Sequence, residues 1–143
     1  MSKADSGNSI SVIVAGALGK MGSEVVRSIH DSCDCELVGA IDTTEGMEGK
    51  DIGLEIGLEE TGIPITKDFE GCLCSVSQSI KPNVLGNQAV LVDFTHPSVA
   101  YEHTRASIAY GVHPVIGTTG FTQEQIISLK EFSDKASVGG AII

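Results

Sequence analysis

Three glycines spaced three residues apart, Gly16, Gly19 and Gly22, separate an apolar, β-branched run from an amphipathic segment. This junction restricts the fold more than any other feature of the chain. The run Ser9-Ile10-Ser11-Val12-Ile13-Val14-Ala15 is short and apolar enough to be a strand buried on both faces of a parallel sheet. From Lys20 to about Asp31 the apolar residues Met21, Val25 and Ile29 recur every four positions, the mark of one helical face. A strand that passes through glycines directly into a helix begins a βα unit. The expected architecture is therefore a parallel sheet with helices on its faces.

The pattern returns further along. Glu36-Leu37-Val38-Gly39-Ala40-Ile41 reads as a second strand ending at Asp42, followed by a polar loop from Thr43 to Lys50. Residues 51–88 carry no clear period and stay unassigned. Ala89-Val90-Leu91-Val92-Asp93-Phe94 is another strand, after which Thr95 can cap a helix with Pro97 in its first turn, ending near Tyr110-Gly111. His113-Pro114-Val115-Ile116 leads into Gly117-Thr118-Thr119-Gly120. Thr122 with Gln125 forms a capping box that opens a helix through about Ser133, and Val138 to Ile143 supplies a further strand. Strands alternating with helices across short loops imply right-handed crossovers. The fold class is α/β, a Rossmann-type doubly wound parallel sheet forming a single domain over residues 9–143, with residues 1–8 as a disordered polar tail.

Composition narrows what such a domain can bind. At 143 residues and 41% hydrophobic, the chain has material for one core. A formal charge of -10 argues against a nucleic-acid or membrane surface, so an anionic ligand has to be held by local structure. Met1 to Asn8 lack the features of a secretory signal and no apolar run is long enough to span a bilayer, which makes a soluble, cytoplasmic protein the expectation. The four cysteines pair as Cys33 with Cys35 and Cys72 with Cys74, one residue closer than zinc-ribbon or thioredoxin-like spacing. They read as reduced, small apolar side chains. His30, His96, His103 and His113 form no ligand motif and read as surface or partly buried histidines, and no metal is expected.

The stretch Gly16-Ala17-Leu18-Gly19-Lys20-Met21-Gly22 has the properties of a phosphate turn. A tight turn, close approach of a pyrophosphate and close helix-on-strand packing each need glycine, and the following helix offers amide donors and a positive dipole end. Asp42 stands 20 residues after Gly22 at the end of the second strand, where a carboxylate can accept from ribose hydroxyls or cap a loop. Lys20 can pair with a phosphate or stand solvated. Gly117, Thr118 and Thr119 fall on the same carboxyl edge of the sheet, as do Phe94 and Thr95. Ligands of open α/β sheets bind along that edge, so these residues can meet the nicotinamide ribose or its carboxamide, or simply form a helix-entry loop. Phe94 can pack beside the nicotinamide or within the core.

Three stretches together resemble the dihydrodipicolinate reductase family of lysine and diaminopimelate biosynthesis: Val14 to Gly22, Val92-Asp93-Phe94-Thr95-His96-Pro97, and Val115-Ile116-Gly117-Thr118-Thr119-Gly120-Phe121. The resemblance implies an NADH- or NADPH-dependent reductase acting on a cyclic imine dicarboxylate. Gly16 to Met21, Asp42 and Gly117 to Thr119 would be cofactor contacts. It also implies a second, tetramer-forming domain carrying the substrate clamp and proton donor, expected after Ile143, so that substrate binding and homotetramers belong to the full-length enzyme and no residue here is catalytic. Some family members carry arginine after the acidic residue to receive a 2′-phosphate, whereas here Thr43 and Thr44 follow. A photosynthetic source would place the enzyme in the plastid stroma. A stand-alone dinucleotide sensor, or another two-domain dehydrogenase of aspartate-derived metabolites, are the alternative readings.

Overall fold

A computed structural model describes residues 9–80 and 88–143. The expected tail, residues 1–8, lies outside the described residues. Strand β1 (Ile10–Ala15) enters α1 (Lys20–Asp31) and returns as β2 (Cys35–Ile41). The stretch with no readable period holds α2 (Ile52–Glu55), β3 (Ile65–Thr66) and α3 (Phe69–Ser79). Then β4 (Ala89–Asp93), α4 (Pro97–Ala109), β5 (His113–Ile116), α5 (Gln123–Ala136) and β6 (Ala141–Ile142) complete the order. Among the described residues the sheet has six strands, all parallel, arranged β3-β2-β1-β4-β5-β6. This is the doubly wound α/β sheet expected from the sequence.

β1 organises the core because its side chains alternate between two layers. Val12 and Val14 pack with Val26 and Ile29 of α1 and with Ile52 and Ile65, while Ile13 and Ala15 pack with Leu73, Val76, Leu91 and Val112. Strands added after β1 run outward on one side, and the chain then crosses back to place β4 on the other. That reversal opens a crevice at the carboxyl ends of β1 and β4, where ligands of such sheets bind.

Some local expectations shift. In α1 the buried stripe is Gly22, Val26 and Ile29, with Val25 at its margin, whereas Met21 is 55% exposed. Met21 sits in the first turn, ahead of Val26 and Ile29, through which α1 packs with Val12 and Val14. The N-cap of α4 is His96, whose Nδ1 accepts from Ser98 N–H at 3.1 Å, because Thr95 is turned back toward β4. The Thr122–Gln125 capping box forms as expected, and α5 continues three residues past Ser133 to Ala136 before Ser137 takes a left-handed conformation. No helix among the described residues is long and apolar enough to cross a membrane.

Side-chain ties rather than periodicity shape the 51–66 stretch. The Asp51 carboxylate accepts from the backbone N–H groups of Gly53, Leu54, Thr61 and Gly62. Desolvation works against its charged form, but the Thr61, Gly62 and Leu54 amides outweigh it and hold Asp51 below the ordinary carboxylate range. A depressed carboxyl contributes stability that is present above its unfolded pKa and is lost as pH falls through the folded value. Asp51→Ala is therefore expected to lower the melting temperature by roughly 3–6 °C at neutral pH. The gap to wild type should shrink as pH falls through the carboxylate range; a gap that stays constant in pH-dependent thermal melts would contradict the tie.

Candidate functional site

The glycine turn is knitted to the end of β2. Gly16 has φ of 79°, and the N–H groups of Gly16 and Ala17 both donate to the Ile41 carbonyl, at 2.8 and 3.1 Å. Gly19 N–H donates to the Gly16 carbonyl at 3.0 Å, closing the turn. Gly22 is where α1 crosses the turn most closely, since a Cβ there would lie 1.9 Å from Gly16 O. At Gly19 a Cβ would meet only Gly16 O, at 3.2 Å, and otherwise open space.

Gly19 is also the N-cap of α1, and no side chain caps that helix. The other four described helices are capped by Asp51, Asp68, His96 and Thr122. The amides from Gly16 to Gly19 already have partners within the turn, at β2 or on Asp42. By helix geometry the next three donors, Lys20, Met21 and Gly22, have no intrahelical acceptor. They leave N–H groups at a positive dipole end, bordered by glycine.

Asp42 is fixed beside this turn. Its Oδ2 accepts from Leu18 N–H at 2.9 Å, and its Oδ1 accepts from the Thr44 N–H at 2.9 Å and the Thr44 hydroxyl at 2.6 Å. A carboxylate offers about four acceptor sites, so Oδ2 keeps capacity for one hydroxyl of a ligand. Gly16, Asp42, Thr43, Lys67, Thr95 and His103 border one cleft of about 330 Å³.

On the β4 side the cleft wall is a polar cluster that sequence reasoning did not find. Asp93 is fully buried, with Oδ1 accepting from the Thr95 N–H at 2.8 Å and from the Thr95 hydroxyl, and with Oδ2 3.0 Å from His103 Nδ1. The His103 ring stacks on Phe69 with centroids 3.9 Å apart and planes 13° from parallel. Thr95 is thus a positioned wall residue instead of a helix cap. The available signal was spacing: Val99 and His103 stand four apart on α4 and so share a face. Phe69 and Lys67 came from the unassigned stretch and left no comparable trace.

The third predicted segment lies one strand further along. Gly117 N–H donates to the Asp93 carbonyl at 2.9 Å, and the Phe94 ring covers Gly117 so closely that a Cβ there would lie 2.3 Å from Phe94 Cε1. Phe94 is half-buried, Thr118 is buried and Thr119 is exposed. The structure therefore gathers Gly16, Asp42 and Thr95 around the cleft. It leaves Phe94 and Gly117 to Thr119 on the same sheet edge but outside the cleft lining, while Lys20 and Met21 stand exposed at the mouth of α1. No disulfide joins the four cysteines, and burial together with the nearby Asp68 pushes the Cys72 thiol up to about 11, which suits an inert packing role against Gly39.

Comparison with known proteins identifies the family and the fold. Residues 10–142 match the family model described as dihydrodipicolinate reductase, N-terminus. The chain is 66% identical over 134 residues to the 4-hydroxy-tetrahydrodipicolinate reductase of Synechococcus sp. (strain CC9605), covering 94% of this chain and 48% of that protein. It thus spans about half the length of the curated relatives it matches. Among solved structures, a dipicolinate-bound dihydrodipicolinate reductase from Paenisporosarcina sp. TG-14 superposes with a TM-score of 0.70 at 30% identity, covering 94% of this chain and 46% of that one. A Thermus thermophilus dehydrogenase in complex with NAD and alpha-ketoglutarate reaches 0.71 at 14% identity, covering 94% and 41%, and shares the fold.

Proposed function

The chain belongs to the dihydrodipicolinate reductase family, whose N-terminal part it matches, and from that membership we propose that it is the NAD(P)H-binding half of a 4-hydroxy-tetrahydrodipicolinate reductase. The observation that carries the reading is the uncapped first turn of α1, opening beside a cleft that Gly16 and Asp42 line together.

In this reading Gly16, Ala17, Leu18 and Gly19 shape the turn against which a pyrophosphate lies, and the Lys20 and Met21 amides donate to it. The remaining acceptor of Asp42 takes a ribose hydroxyl. Phe94, Thr95, Gly117, Thr118 and Thr119 border the nicotinamide end. When bound, NADH or NADPH supplies the hydride for a conjugated carbon of the cyclic imine dicarboxylate. The chain's own contribution is to fix distance and orientation, the effect that can lower a barrier by roughly 7–11 kcal/mol once a site is assembled. Buried Asp93 holds Thr95 and His103 in place, so the cleft wall is preorganised rather than shaped by the ligand.

No residue of this chain is assigned as the proton donor or as the clamp for substrate carboxylates. Both are assigned to the second domain that the resemblance implies, together with assembly into a homotetramer. The compartment is the cytoplasm, or the plastid stroma in a photosynthetic eukaryote.

Calorimetric titration of the chain with NADH and with NADPH tests the assignment. Saturable heat with at least one of them is expected, and none with either, from a sample shown to be folded, would overturn it. The same chain, supplied with freshly generated substrate, is expected to give no substrate-dependent loss of cofactor absorbance. Turnover near that of a longer relative at equal concentration would contradict the division of labour.

A further inference from the structure

The ribose end of the cleft carries one lysine that neither the glycine turn nor the strand pattern announced. Lys67 follows β3 directly, and Asp42 N–H donates to the Thr66 carbonyl at 3.1 Å, so the residues leaving β2 and β3 stand side by side. Lys67, Thr43 and Asp42 line the same cleft as Gly16. The backbone at this point is anchored: Glu48 accepts from the Lys67 N–H at 2.8 Å and from the Thr66 hydroxyl at 2.9 Å.

The ammonium group is not anchored in the same way. Lys67 Nζ lies 3.8 Å from Glu45 Oε1, with the lysine side chain half exposed and Glu45 94% exposed. An ion pair that long and that open contributes little, so a stronger anion can displace Glu45 at small cost. Thr43 and Thr44 bring no cation after Asp42, and Lys20, at the mouth of α1, is not part of the cleft lining. Among the described residues, the carboxylates Asp42, Glu45 and Glu48 stand around Lys67, and His96 and His103 line the same cleft.

We propose that Lys67 is the residue that admits NADPH, pairing its ammonium with the 2′-phosphate of a dinucleotide whose adenosine ribose lies against Asp42. The proposal rests on the dinucleotide reading given above. Within it, NADH uses the spare acceptor of Asp42 for a free hydroxyl and has no need of Lys67. NADPH replaces that hydroxyl with a dianion, which among the described residues would meet three carboxylates and no lysine or arginine of the cleft lining if Lys67 were absent. Thr43 stands beside the pair as a hydroxyl donor for the same phosphate. A lysine suits this place because it acts as a mobile point charge that can leave Glu45 and swing to the ligand.

The test compares wild type, Lys67→Gln, Lys67→Arg and Glu45→Gln in the chain as it stands, titrated with NADH, NADPH, 5′-AMP and 2′,5′-ADP, with circular dichroism confirming the fold. Lys67→Gln is expected to weaken NADPH and 2′,5′-ADP by about tenfold and to leave NADH and 5′-AMP within about twofold. Lys67→Arg should retain NADPH binding, and Glu45→Gln should strengthen it by freeing the ammonium. Wild type that binds NADH but not NADPH, or a Lys67→Gln protein whose NADPH affinity is unchanged or falls in parallel with NADH, overturns the role of Lys67 while leaving the dinucleotide site standing. Wild type that binds none of the four ligands overturns both.

Discussion

Gly22→Ala is expected to lower the melting temperature by roughly 10 °C or to leave the chain unfolded. The methyl carbon would sit 1.9 Å from the Gly16 carbonyl oxygen and 2.7 Å from its carbon, both backbone atoms of the turn itself. No side-chain rotation relieves such a contact, so α1 must lift away from β1. Val26 and Ile29, buried on the same helix against Val12 and Val14, would lose packing with it. A cost of about 3 kcal/mol or more follows from overpacking that cannot relax. Thermal melts of wild type and variant decide the matter. A shift under about 3 °C would mean that the close crossing of helix and turn is not what this glycine provides.

The second large effect is on binding rather than folding. Gly19→Val should weaken NADH and NADPH about 100-fold while moving the melting temperature by only roughly 3–4 °C, the cost of a poor N-cap. Gly19 has φ of -71°, so a side chain is not strained there, and its Cβ would touch only Gly16 O at 3.2 Å. The remaining methyl groups have to occupy the open side, where in the proposed site the pyrophosphate meets the Lys20 and Met21 amides. Affinity and melting temperature must be read on the same preparation. A sharp loss of stability with unchanged affinity in the folded fraction would make Gly19 a structural residue and remove the turn from the site.

The contrast between these two glycines was only partly legible in the sequence. Their spacing and place at a strand-helix junction announced a phosphate turn, but three similar letters do not say which one faces helix, strand or ligand. β1, β2, β4 and β5 were readable because each carries closely spaced apolar residues that run into a glycine or an aspartate, and α5 because Thr122 and Gln125 form both halves of a capping box. The stretch between Asp51 and Ser79 was not, for physical reasons. α2 has four residues and β3 two, too few for any period, and the loop around α2 is held by the Asp51 carboxylate. α3 buries only Leu73 and Val76 fully, although Asp68 at its start, accepting from Gly71 N–H at 3.0 Å, was a usable cap signal.

The candidate site divides along the same line. Gly16, Asp42 and Thr95 were placed correctly on one edge because they end strands that could be read. Lys67 and Phe69 were missed because they follow the strand that could not. His103 was missed for a different reason: its partner Asp93 is ten residues earlier, and their contact at 3.0 Å depends on the angle at which α4 leaves β4. Lys20, which the sequence offers either as a phosphate partner or as a solvated first-turn lysine, stands exposed at the mouth of α1, while Lys67 shares the cleft lining with Asp42.

The most direct measurement of the central claim is a map of amide chemical shifts as NADH is titrated into the nitrogen-labelled chain. The account predicts the largest changes at Leu18, Gly19, Lys20, Met21 and Gly22, with a second group at Asp42 and Thr43 and a third from Gly117 to Thr119. Shifts confined to the apolar cleft lined by Ile126, Leu129 and Ala141, with the glycine turn and Asp42 unmoved at saturation, would contradict it.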